Sequence, residues 1–113
     1  MMPTATSDAT EDTMLHLLRL HYTATEQDAG PHITAHVAYL EHHHAAGTFL
    51  VSGQTVPTED GGAIIAHGVD RATIEQITAQ DPFVMNGVAK YTITTITPGR
   101  VHPTLTDVLT QGH

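Results

Sequence analysis

The order of periodic segments along the chain predicts an α+β domain of the ferredoxin-like βαββαβ layout, with an antiparallel sheet and helices on one face. Three observations lead there. Four stretches alternate as strands do, two carry helical spacing, and the junctions hold glycine, proline or aspartate. At 113 residues the chain is one domain with a small core, one that a second subunit would help to enlarge.

"MLHLLRLHYT" (14–23) is the first strand, apolar on both faces and therefore expected in the middle of the sheet. "EQDAGPH" reads as a turn. A helix is predicted from Pro31 or His32 to Ala46, stopped by Gly47. "TFLVSGQTV" (48–56) and "AIIAHGV" (63–69) are strands two and three, joined through the turn-rich "PTEDGG" with its Asp60-Gly61 hairpin signal. Asp70 caps a second helix, "RATIEQITAQ", whose Ile74 and Ile77 face inward. "DPFVMNGV" is a short break, and "AKYTITTITP" (89–98) the last strand. Residues 1–13 are predicted to be a flexible leader, 14–98 the domain and 99–113 a C-terminal extension. In the extension, Val101, Leu105 and Leu109 have helical spacing, although a frayed end is the expectation. The sheet face without helices carries apolar residues and predicts a homodimer.

A net charge of −8 with only four Lys and Arg argues against nucleic acid as a partner. No apolar run is long enough to span a membrane, and the N-terminus lacks the order of a secretory signal. Cysteine is absent, which removes thiolate chemistry and fits a cytoplasmic protein.

"PHITAHVAYLEHHH" (31–44) holds five histidines. On a helical wheel Ile33, Val37, Leu40 and His44 share one sector, expected to face the core. His32, His36, Tyr39 and His43 form a row beside it, at the edge where a cleft opens. The run 42–44 points three ways and cannot act as one cluster. His32 and His36 are spaced for one metal ion, but no third ligand is evident, so no metal and no cofactor are expected. An imidazole paired with a carboxylate is the stronger reading. It titrates near neutrality, and a carboxylate on one ring nitrogen fixes the tautomer of the other. Asp81 is the best partner. It falls where the second helix should end, a place the helix dipole disfavours for an anion, so it is expected to have a partner elsewhere.

"HVAYLEHHHAAGTFLVSGQ" followed by "DGGAIIAHGVDRATIEQITAQDPFVMNGVAKYTI" resembles the YciI-like, or YCII-related, family. The resemblance spans roughly residues 14–98, and Asp-Pro-Phe between helix and strand is its most specific part. It implies a dimeric α/β-barrel type of ferredoxin-like fold, paired through the sheets. It also implies an active-site pair matching His36 and Asp81, with Ser52 and Gly53 at a strand end lining the same pocket. Gln54 replaces the proline usual there. At least one relative is a dehydrochlorinase acting on a chlorinated hydroxyquinol.

The candidate set is therefore His36 and Asp81 as catalytic residues, with Ser52, Gly53, Tyr39, His43 and Phe83 as substrate contacts. The function expected is that of a small acid–base enzyme of lyase, isomerase or cyclase type, without cofactor, on a small aromatic or enolisable molecule. The alternative is a non-catalytic dimer that binds a small ligand or another protein.

Overall fold

A computed structural model describes residues 14–110 of the chain. The leader assigned to 1–13, and residues 111–113, lie outside the described residues. Four strands form one antiparallel sheet: β1 Leu15–Tyr22, β2 Phe49–Gln54, β3 Gly62–His67 and β4 Ala89–Ile96, in the order β2-β3-β1-β4. β1 is central, as its two apolar faces predicted. Alternation decides what each face does: His16, Leu18 and Leu20 are buried, whereas Leu17 and Arg19 are exposed.

The helices are α1 Glu26–Ala29, α2 Ile33–Ala45, α3 Arg71–Ala79, α4 Pro82–Met85 and α5 Pro103–Thr110. Tyr39 of α2 and Ile74 of α3 pack on Leu18, Phe49, Ile64 and Ala66 of the sheet to form the main core. A second cluster joins Leu20, Ala29, Phe83, Val88 and Ala89. Burying one aliphatic side chain as fully as Leu18 or Ile74 stabilises by roughly 1.5–3 kcal/mol. His16 is fully buried as well. Its Nε2 donates to the Val69 carbonyl and its Nδ1 accepts from the Thr95 hydroxyl, both at 2.8 Å, so both ring nitrogens are satisfied.

Several expectations change. The segment after β1 is not a bare turn, because Thr25 caps α1 by accepting from Asp28 N at 3.1 Å. A 3-10 turn over Gly30–His32, with Pro31 near its start, then leads into α2. Asp70 caps α3 as predicted, accepting from Thr73 N at 2.8 Å. The break after α3 is itself helical: Pro82 opens α4 in the first-turn position that proline favours. The extension holds a helix, α5, rather than a fray.

The wheel of α2 also needs correction. Ile33 and Val37, expected in the core, are 50% and 43% exposed, and Tyr39 is the buried residue. The cause is a hollow beneath that stripe, which leaves it no packed layer to meet.

Candidate functional site

The hollow is a cavity of about 340 Å³ between α2, the sheet and α4. Ile33, Val37 and Leu40 roof it, and Leu20, Ile64 and Phe83 form its apolar floor and end. Polar atoms reach it from His36, Ser52, Gln54 and Tyr91, and Gly53, Gly61 and Gly62 bring backbone to its edge. A mostly apolar hollow with a few converging polar groups is the usual form of a small-molecule site.

The β2–β3 edge is tightly built. Gly61 has φ +114°, and a Cβ there would lie 1.9 Å from the Leu20 carbonyl oxygen, so only glycine fits. This lets the hairpin close over β1 and form one side of the cavity.

His36 and Asp81 come together across 45 residues of sequence. Nδ1 of His36 donates to Oδ1 of Asp81 at 2.8 Å. The carboxylate is 0% exposed, and the imidazole is 13% exposed at the cavity wall. Because an ionised carboxylate can only accept, Nδ1 carries the proton and Nε2 is the nitrogen left for the cavity. The imidazole lies flat on Phe83, with ring centres 4.1 Å apart and planes 9° from parallel, which fixes its rotation.

The environment of Asp81 differs from the sequence expectation. Its position just past α3 suggested an anion at a disfavoured helix end. Instead Asp81 is the N-cap of α4, and its Oδ1 also accepts from Phe83 N at 2.9 Å. The dipole of that turn therefore favours the charge. Oδ2 accepts from the Tyr91 hydroxyl at 2.5 Å. Tyr91 was not among the sequence candidates. Its parity with Ala89 and Ile93 in the strand was the available signal. Burial first, and then the Asp81 charge, push the Tyr91 and Tyr39 phenols well above their ordinary range, so both stay protonated.

Of the candidate contacts, Ser52, Gly53 and Phe83 line the cavity. Tyr39 and His43 do not. Tyr39 donates to the Ile77 carbonyl at 2.8 Å, and His43 packs against Phe49 and Tyr39, with ring centres 4.9 and 4.8 Å away. Both belong to the packing behind the site. A contact outside the candidate set is His44, whose Nε2 lies 2.8 Å from Ser52 Oγ. Among the described residues no group of three or more His, Asp or Glu is placed to hold a metal ion.

A four-stranded antiparallel sheet, helices packed on its one face, and a hollow between them define a small α+β domain with a ligand-sized site. The pattern of the YCII-related domain matches residues 14–97, and the chain belongs to that family. No curated protein matches it. Among solved structures it is similar to 5-chloro-2-hydroxyhydroquinone dehydrochlorinase from Burkholderia phenoliruptrix in complex with 2,5-dihydroxybenzoquinone, with a TM-score of 0.58 and 20% identity over 72% of this chain and 90% of that one. At that identity the likeness concerns the fold. No helix among the described residues is long and apolar enough to cross a membrane.

Proposed function

We propose that the protein is a small acid–base enzyme, of the lyase kind, that acts on a small oxygenated ring or enolisable molecule in the cavity. The observation that carries this reading is the His36–Asp81 hydrogen bond at the cavity wall, with the carboxylate fully buried. His36 Nε2 takes a proton from the bound molecule. Asp81 holds the tautomer that makes this possible and stabilises the imidazolium that forms. Phe83 N–H and the Tyr91 hydroxyl keep the carboxylate in place through the cycle. Apolar side chains make up most of the cavity wall, which lowers the local dielectric around these groups. Elimination, isomerisation and cyclisation all run on this apparatus; the dehydrochlorinase with a similar fold favours elimination.

The test is chloride release from 5-chloro-2-hydroxyhydroquinone, the compound in that relative's name. Turnover that disappears in His36→Ala while the variant stays folded supports the reading. Retained turnover in that variant defeats it, and binding without turnover in the wild type favours a non-catalytic ligand-binding module.

The proposal includes a ferredoxin-like sheet that pairs with a second copy in a dimeric barrel. The β2-β3-β1-β4 order is the one a split βαβ layout requires. The sheet face away from the helices carries Leu17, Val51 and Ile96 at 41%, 58% and 42% exposure, a surface that pairing would bury.

A further inference from the structure

Two of the polar side chains that reach the cavity are each backed by a second side chain. Asp81 stands behind His36, and His44 stands behind Ser52. Neither Asp81 nor His44 lines the cavity, while His36 and Ser52 both do. Nε2 of His44 and Oγ of Ser52 are 2.8 Å apart, and the His44 ring meets Phe49 edge-on with centres 6.0 Å apart. His36 and His44 sit on one helix, eight residues and so roughly 12 Å apart along its axis. The Ile33, Val37 and Leu40 stripe roofs the same cavity.

A lone serine hydroxyl rotates to suit any partner and holds a ligand oxygen with little direction. The ring nitrogen removes that freedom. If Nε2 is the acceptor, Ser52 donates to it and offers lone pairs to a ligand hydroxyl. If Nε2 carries the proton, it donates to Oγ, and the serine proton turns to a ligand carbonyl or oxyanion. In either tautomer one bonding position of Oγ stays open to the cavity.

We infer that His44 is a positioning residue that orients Ser52 as a second oxygen anchor, and that the cavity takes a flat ring bearing oxygen at two opposite ends, one at His36 and one at Ser52. This rests on the acid–base reading of His36 and adds to it the substrate's shape and its orientation. The His44–Ser52 contact joins the last turn of α2 to β2 across the cavity wall, so it also fixes the width of that end.

Hydroquinone and para-cresol make a suitable probe pair, because they differ only in a hydroxyl against a methyl at one end. Titrated under nitrogen and followed by ligand NMR, the wild type is expected to bind hydroquinone about tenfold more tightly, the effect of one well-placed hydrogen bond. Ser52→Ala and His44→Phe should each bring the ratio near one, with para-cresol affinity held within about twofold. The double variant should lose nothing further, because both changes remove the same contact. His44→Gln, which restores a hydrogen-bonding group, should recover part of the preference. The inference is overturned by an undiminished ratio in Ser52→Ala or His44→Phe, by additive losses, or by a wild type that shows no preference or no hydroquinone binding. It is also overturned if His44→Phe weakens both probes equally, since His44 is then a structural support. His36→Gln separates the two readings. If that variant keeps wild-type affinity for both probes, the His36 assignment fails and the Ser52 end stands.

Discussion

The Tyr91 hydroxyl donates to Oδ2 of Asp81 at 2.5 Å, on the side of the carboxylate opposite the oxygen that receives His36. Tyr91 therefore braces the acid from the sheet while α4 holds it from the helix layer. Tyr91→Phe keeps the ring and removes this bond together with the hydroxyl's contact to Tyr39. A hydrogen bond to a buried charged group contributes roughly 1.5–3 kcal/mol, so the variant should lose that much stability in urea unfolding. Turnover should fall as well, because the carboxylate can then rotate.

Asp81→Asn keeps shape and changes proton logic. A neutral amide cannot stabilise an imidazolium, and where its nitrogen faces Nδ1 it gives up the Phe83 N–H bond and moves the imidazole proton to Nε2, leaving no base at the cavity. A fall in kcat/KM on the order of a hundredfold to ten-thousandfold is expected, with a near-native circular dichroism spectrum. Activity within threefold of wild type would remove Asp81 from the mechanism.

Gly61 and Gly47 both have positive φ, +114° and +86°, but only Gly61 has backbone against its missing side chain. Gly61→Ala should destabilise by on the order of 3 kcal/mol or more, since the Leu20 carbonyl must move. Gly47→Ala meets nothing within 4 Å and should cost about 1 kcal/mol, the strain of the left-handed backbone alone. Chemical denaturation midpoints of the two variants give the comparison directly.

Burial, and secondarily the neighbouring His42, hold the His43 imidazole below its ordinary value of 6.5. The folded state thus binds the proton less readily than the unfolded chain. Stability from this source is complete above the ordinary value and declines as pH falls from there through the lowered folded value. His43→Gln should flatten the slope of unfolding free energy against pH on that acidic side and leave the slope above pH 7 unchanged.

Leu17 lies opposite Ile65, and Val51 opposite Ile65 in turn, so the outer face has an apolar row across β2, β3 and β1 that ends at Thr94 of β4. With the homodimer proposed above, light scattering should report twice the chain mass. Leu17→Lys together with Val51→Lys should return it to one chain mass while the protein stays folded.

The strand alternation and the capping aspartate at 70 were legible because each depends on near neighbours. The environment of Asp81 was not, although its clue was in view. An aspartate followed by proline is as good a start for a new helical turn as it is an end for the old one. The roles of Ile33 and Val37 were misjudged because a wheel gives direction and not distance. It cannot say whether the sector faces packed side chains or a hollow. His44 shares that sector, and its meeting with Ser52 depends on how far β2 stands from α2, a tertiary quantity. Tyr39 and His43 lie next to the site on the wheel but were turned inward by Phe49.

A helix of four residues has little standing by itself in water. α4 persists because one carboxylate caps it, and that same carboxylate orients the imidazole. The turn's stability and the proposed reactivity thus meet in one joint, where asparagine can still cap the turn but cannot supply the charge, and an apolar side chain can do neither. Attempts to evolve a hardier version of this protein will have to look for their gains in the sheet or the distal helices, because no neutral residue at that joint does both jobs.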